Sequence, residues 1–191
     1  MSVDGVVSVG MARAAIAAQL SLVCDKVDVP VSMQQLGASF VTLHIKGELR
    51  GCIGTLEAYR PLAEDVVNNA VAAAFKDPRF LPLSVQEFLM TQIEVSLLSP
   101  LQALVFNNEQ QALEMLKPGV DGVVLAFASY RATFLPQVWE QLPGKKEFMS
   151  HLKRKAGLAP DFFHSEMLLW RYSVTKFSEK NSAFKFVGGG C

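Results

Sequence analysis

The strongest constraint on the fold of this chain is an alternating run followed almost at once by a glycine-punctuated one. From Ser39 to Lys46, Val41, Leu43 and Ile45 fall on one side, with Thr42, His44 and Lys46 on the other. That is the period of a half-buried strand. Leu49-Arg50-Gly51-Cys52-Ile53-Gly54 follows after only Gly47-Glu48, which predicts a β-hairpin. Glycines inside a strand mark a bulge, a bend, or a place where something approaches the backbone closely. The register decides where the polar residues point, because a slip of one residue exchanges the faces. A two-residue turn sets Leu43 opposite Cys52 and Ile45 opposite Arg50, driving the thiol and the cation into the apolar face. A three-residue turn or a bulge matches Ile45 with Leu49 and Val41 with Ile53, leaving Arg50 and Cys52 beside His44 and Thr42. The second register keeps apolar residues together and is the expected one.

Composition limits what such a hairpin can belong to. Half of the 191 residues are hydrophobic, enough to fill a core, and eighteen basic residues balance eighteen acidic ones. A balanced charge gives no global field to recruit nucleic acid or anionic lipid. No apolar run reaches the length of about 18 residues that would span a membrane, and the opening residues lack the pattern of a signal peptide. Cys24, Cys52 and Cys191 are odd in number and far apart. That spacing argues against a disulfide framework and against CxxC metal binding, and it suits a reducing cytoplasm. No glycine-rich phosphate loop or dinucleotide fingerprint occurs, so no cofactor is expected.

The rest of the chain alternates irregularly between helical and strand patterns. Helices are expected at Met11–Cys24, from Pro61 to about Lys76, at Asn107–Lys117, at Gln137–Leu142 and at Lys145–Ala156, with one capped turn at Ser84–Leu89. In the second helix Leu62, Val66, Ala70 and Ala73 form the apolar stripe, with Glu64, Asp65, Asn68 and Asn69 opposite. Strands are expected at Thr91–Ser99, in a buried hairpin of Val120–Phe127 and Arg131–Leu135, and in one closing strand from Leu168 to Thr175. Residues 179–191, ending Gly188-Gly189-Gly190-Cys191, read as a flexible tail. Antiparallel hairpins with interspersed helices predict an α+β fold, a mixed or antiparallel sheet flanked by helices.

Five blocks carry a resemblance to a known family. They are the Leu49–Gly54 motif, Ala73-Ala74-Phe75-Lys76-Asp77-Pro78-Arg79-Phe80, Ile93-Glu94-Val95-Ser96-Leu97-Leu98, Pro118-Gly119-Val120-Asp121-Gly122, and Arg131-Ala132-Thr133-Phe134-Leu135-Pro136-Gln137-Val138-Trp139. In this order and spacing the chain resembles the AMMECR family, known in prokaryotes as AmmeMemoRadiSam system protein A, over residues 11 to 178. The resemblance implies a single AMMECR-type domain of α+β fold, with a larger and a smaller lobe and a cleft between them. It implies partnership with a radical SAM enzyme and a Memo-like protein. It names no catalytic residue.

The candidate site residues are weighed on their chemistry. Cys52 reads as a nucleophile if a cation lowers its pKa, and Arg50 lies two residues away. It reads equally as a small core hydrophobe. Gly51 and Gly54 would open backbone N–H groups to a ligand. Arg50 requires a carboxylate, sought among Glu57, Asp77 and Glu94, and such a brace would be structural. Asp77 can pair locally, while Arg79 could hold an anion. His44 would serve as base to Cys52 if both share a face, or be a surface strand residue. Thr133 and Gln137 flank the corner at Pro136, where helix N-terminal amides can meet a ligand, with Trp139 as a core anchor. Lys145, Lys146, Lys153, Arg154 and Lys155 form a basic run interrupted by Glu147, a weak pointer to nucleic acid. His151 and His164 have no metal-ligand spacing. Two readings follow: a ligand- or partner-binding module at the Arg-Gly-Cys-Ile-Gly motif, or a thiol-dependent enzyme acting on a small anionic or carbonyl substrate. A nucleic-acid modification factor is a weaker third.

Overall fold

The computed structural model describes residues 3–24 and 27–179. In chain order the elements are α1 (Val3–Gln19), β1 (Leu36–Gly37), β2 (Ser39–Ile45), β3 (Glu48–Gly54), β4 (Arg60–Pro61), α2 (Leu62–Phe75), α3 (Val85–Met90), β5 (Thr91–Leu98), β6 (Gln102–Ala103), α4 (Glu109–Met115), β7 (Gly122–Phe127), β8 (Tyr130–Phe134), α5 (Lys145–Ala156), β9 (Leu168–Tyr172) and β10 (Val174–Ser178). Short 3-10 turns occupy Val31–Gln34 and Pro136–Glu140. The expected α+β class holds, with antiparallel sheets flanked by helices. The chain divides into two compact units, Met1–Leu98 with Thr175–Cys191, and Ser99–Val174.

In the first unit the sheet order is β10-β5-β2-β3, and β1 pairs with β4 in a separate two-stranded ribbon. Val41 and Leu43 of β2 and Ile93 and Val95 of β5 point to one face, fully buried against Val9, Ala12 and Ile16 of α1 and Val66, Ala70 and Ala73 of α2. Each large side chain sealed there contributes about 1.5–3 kcal/mol of hydrophobic stabilisation. Small residues on α2 let it lie close to the sheet, and Gly51 completes the fit.

The hairpin register combines features of both expectations. Its turn is Lys46-Gly47, one residue earlier than expected, with φ of 54° and 88°. Two consecutive left-handed residues make the tight turn whose twist suits paired strands. Ile45 therefore faces Glu48 and His44 faces Leu49. Beyond them Leu43 faces Gly51, Thr42 faces Cys52 and Val41 faces Ile53, so Arg50 is the extra residue of a β-bulge. The bulge lets a two-residue turn coexist with apolar matching, and it returns Cys52 to the face of Thr42.

Three other expectations are corrected. α1 begins at Val3 and ends at Gln19, earlier at both ends than Met11–Cys24. Gly5 does not break it, because Phe177 packs where a side chain would stand, 2.1 Å from the position of a Cβ. The chain leaves α1 through Ser21, whose φ is 58°. Secondly, Asp65 and Asn69 are not on a solvated face of α2 but are buried in a polar cluster. Thirdly, the single closing strand is two. β9 belongs to the second sheet and β10 to the first, and they part at Ser173, whose N–H donates to Ser99 Oγ and whose carbonyl accepts from Ser99 N–H.

In the second unit the sheet order is β6-β9-β7-β8. Val123 and Leu125 of β7 and Leu169 of β9 pack with Phe148, Met149 and Leu152 of α5. Trp139 is the expected anchor: its ring stacks on Phe148 at 3.7 Å and its Nε1 donates to the Asp121 carbonyl at 2.7 Å. Of the expected tail, Glu179 is described and accepts from Arg13 Nε and from the Ile93 N–H. The remainder, 180–191, lies outside the described residues.

Candidate functional site

β3 is the outer strand of its sheet, so its outward backbone groups need partners from elsewhere. At Cys52 they find them in the corner that follows α2. The Cys52 N–H donates to Asp77 Oδ2 at 2.9 Å, and Arg79 Nη2 donates to the Cys52 carbonyl at 3.3 Å. Asp77 and Arg79 are in turn locked together. Arg79 gives Nε at 2.9 Å, Nη2 at 2.6 Å and its own backbone N–H at 3.1 Å to the Asp77 carboxylate. This residue pair thus does at one peptide what a neighbouring strand would do, and it closes the sheet edge there. Asp77 is buried, and the hydrogen bonds from Arg79, ahead of the one from the Cys52 amide, hold its carboxyl well below the usual carboxylate range despite burial. The Arg79 side chain stays half exposed.

Arg50, the bulge residue, turns toward α3. Its Nε and Nη2 meet the two Glu87 oxygens at 2.9 and 3.1 Å, a bidentate pair, and Nη2 also donates to the Leu81 carbonyl at 2.8 Å. Glu87 is held from its own helix too. Ser84 and Glu87 form a reciprocal capping box, with the Ser84 backbone N–H donating to Glu87 Oε2 and the Glu87 N–H donating to Ser84 Oγ. The Arg50 contact first, and the Ser84 amide second, pull the Glu87 carboxyl down to about 2. The Phe80 ring meets both cations, its centroid 5.5 Å from each guanidinium carbon. The partner of Arg50 is therefore Glu87, none of the three carboxylates expected. Asp77 is taken by Arg79, and Glu94 pairs with Lys176 at 3.3 Å.

The glycines of the motif have steric reasons. A Cβ on Gly51 would stand 2.2 Å from the Ala73 carbonyl oxygen, so α2 could not lie where it does. A Cβ on Gly54 would stand 2.2 Å from the Phe40 ring, which covers it. Ile53 packs against the core. The Cys52 sulfur is the part of the motif without a scaffolding duty. It is partly buried, 3.3 Å from Thr42 Oγ1, and that hydroxyl is its one side-chain hydrogen-bonding partner among the described residues. His44 sits on the same sheet face, but its cross-strand neighbours are Leu49 and Gln92, not Cys52.

Thr133 and Gln137 belong to the second unit, apart in the chain from the residues just described. Thr133 Oγ1 lies 3.3 Å from the Tyr172 hydroxyl, which also donates to the Phe134 carbonyl at 3.3 Å. Tyr172 is buried, and burial pushes its hydroxyl up, with the Thr133 contact opposing. The Thr133 carbonyl accepts from Lys155 at 3.0 Å. Gln137 is exposed on the 3-10 turn that Pro136 opens. In the basic run, Lys153 is fully buried and paired with Glu109 at 2.6 Å, so it adds nothing to a solvated cationic face. Among the described residues no group of three or more His, Cys, Asp or Glu side chains could hold a metal ion.

Thr42 stands across from Cys52, as the bulged register predicts. Glu87 is the partner the sequence does not point to, since its spacing from Ser84 marks a helix start and says nothing of a cation 37 residues away.

Two four-stranded antiparallel sheets with flanking helices, and a glycine-containing edge hairpin braced by two arginine–carboxylate pairs, define the class of protein. The AMMECR1 family model matches residues 9–177, and the chain belongs to that family. Protein MJ0810 of Methanocaldococcus jannaschii is 38% identical over 148 residues, 73% of this chain and 72% of that one. A protein of Methanothermobacter thermautotrophicus is 35% identical over 158 residues, 80% of each. The crystal structure of the uncharacterized protein PH0010 from Pyrococcus horikoshii is similar with a TM-score of 0.74 and 29% identity, covering 92% of this chain and 91% of that one. Among the described residues no helix is long and apolar enough to cross a membrane.

Proposed function

We propose that this AMMECR1-family chain is a binding module that presents its Arg50–Gly54 motif to a small ligand or to a segment of a partner protein. The observation that carries this reading is the use to which the two motif-proximal cations are put. Arg50 and Arg79 are each bound bidentately to a carboxylate of the same chain, so both charges serve to fix the strand edge. A catalytic thiol needs a base or an uncommitted cation beside it. Cys52 has a threonine hydroxyl, and the guanidinium that interacts with it, Arg79, is already bound to Asp77. The rigid edge, with a half-exposed guanidinium, suits recognition better than bond-making. The partners this module would serve are a radical SAM enzyme and a Memo-like protein. Native purification of the tagged chain from its own host tests this. Recovery of both proteins, retained with Cys52→Ala and lost with Arg79→Ala, is the expected outcome. Recovery of neither removes the reading.

A second reading, a thiol-dependent enzyme, is favoured by one observation: the Cys52 sulfur is only partly buried on its strand. Iodoacetamide labelling near neutral pH, mapped by mass spectrometry, separates the two. A catalytic Cys52 alkylates much faster than Cys24, which packs against the apolar core. Equal rates leave the binding module.

A further inference from the structure

On the sheet face that carries Thr42 and Cys52, at the end nearer the hairpin turn, His44, Gly47, Gln92, Ile93, Glu94 and Ser178 line an open cavity of about 230 Å³. The topology builds it. His44 and Gln92 are direct cross-strand partners, Thr42 and Glu94 are the next pair along the same face, and Ser178 closes the third strand. Gly47 at the turn has nothing within 4 Å of where a side chain would begin, so the mouth is open on that side.

We propose that this cavity binds a small primary ammonium compound, with Glu94 as its ionic anchor. Every polar side chain in the lining can accept a hydrogen bond, namely the carboxylate, the carboxamide, the hydroxyl and an imidazole through its unprotonated nitrogen. None in the lining is a lysine or arginine. An ammonium offers three donors and no acceptor, which complements that set. The side chains of His44 and Gln92 make no hydrogen bond to the described residues, so their capacity is unspent. The sheet already contains a mimic of the ligand. Lys176 places its ammonium 3.3 Å from Glu94 Oε1 while its side chain stays half exposed. An exposed pair of this kind is weak and readily exchanged. The incoming ammonium would take the place of Lys176 on Glu94.

The site shares no lining residue with the Arg50–Gly54 motif, so its failure would leave the proposed function standing, and the reverse. The test is amide chemical-shift titration of the full chain with putrescine and with ethanolamine, against propionate and zinc chloride. Saturable shifts at His44, Gln92 and Glu94 with the amines are expected. Glu94→Gln removes the charge from the anchor and should weaken binding about tenfold or more. Lys176→Ala removes the resident competitor and should tighten it about two- to fivefold. That gain is a result which mere disruption of the fold cannot produce. No saturable shift with either amine, equal shifts with propionate, saturation by zinc alone, unchanged binding in Glu94→Gln, or weaker binding in Lys176→Ala would each overturn the proposal.

Discussion

Gly51 of the edge strand lies against the carbonyl of Ala73 in α2, so close that a Cβ would stand 2.2 Å from the oxygen. The atom in the way is backbone, which cannot swing aside as a side-chain end can. Gly51→Ala must therefore push α2 away from the sheet or break the bulge at Arg50. We expect a loss of about 3 kcal/mol or more, at the upper end of overpacking costs. Urea unfolding followed by circular dichroism measures it, and a midpoint equal to wild type would show that the helix does not rest on this strand as described.

The Arg50–Glu87 brace makes a pH-dependent contribution whose sign follows from its geometry. The Glu87 carboxyl is lowered from 4.5 to about 2 in the folded chain. Its contribution is thus complete above about pH 4.5 and fades as pH falls toward 2, because the folded state resists the proton that the unfolded state takes up. Asp77, also lowered, acts in the same direction and stays ionised to lower pH still. Glu87→Gln should flatten the acid limb of stability between pH 4.5 and 2 while costing little of its shape above pH 6. Unfolding midpoints at half-unit pH intervals decide this. A parallel acid limb in the variant would locate the acid sensitivity elsewhere.

Asp65 is the most heavily solicited carboxylate of the first unit. It is fully buried and accepts from Ser39 N–H at 2.8 Å, Ser39 Oγ at 2.6 Å, Thr55 Oγ1 at 2.6 Å, Arg60 Nε at 2.8 Å and Asn69 Nδ2 at 2.9 Å. It thereby ties the start of β2 and the residue following β3 to the first turns of α2. Removing it strands several buried donors and one cation. Asp65→Ala should cost about 3–5 kcal/mol, the figure for breaking a buried charge network. Hydrogen exchange of the Ser39 amide should accelerate with it. A protected Ser39 amide in a destabilised variant would mean that the loss arises from packing alone.

How much of this the sequence discloses depends on the distance over which each cause acts. Alternation over seven or eight residues is local, so β2 and β5 could be placed from Val41, Leu43, Ile93 and Val95 alone, and β3 from its start just past the turn at Gly47. The α5 boundaries are likewise legible, since Pro143-Gly144 and Gly157 punctuate it on either side. The partnership of Arg50 with Glu87 spans 37 residues and depends on where α3 lands, which no local pattern encodes. Asp65 and Asn69 misled for a related reason. Polar residues four apart on a helix normally face water, but here Ser39, Thr55 and Arg60 bring their donors to them. The break at Ser173 was hidden because one continuous alternation serves two sheets.

Lys153 carries the same lesson into the second unit and gives the last prediction. Three basic residues close α5, and from sequence all three belong on its solvated side. Yet Lys153 is fully buried, with its ammonium 2.6 Å from Glu109 Oε1 at the start of α4, while the Glu109 side chain keeps a third of its surface in water. The pair links α4 to α5, and its two members are not equivalent under mutation. Glu109→Ala leaves an ammonium without its counter-ion in the core and should cost roughly 3 kcal/mol, the lower end for a broken buried pair because water can follow the missing carboxylate. Lys153→Met removes the charge and keeps the length, so it should be neutral or stabilising. In the double variant Glu109→Ala/Lys153→Met most of the single loss should return. Urea midpoints of the four proteins form the cycle. Equal losses from both single variants, with no recovery in the double, would mean that Lys153 is held by its packing and that the ion pair is incidental.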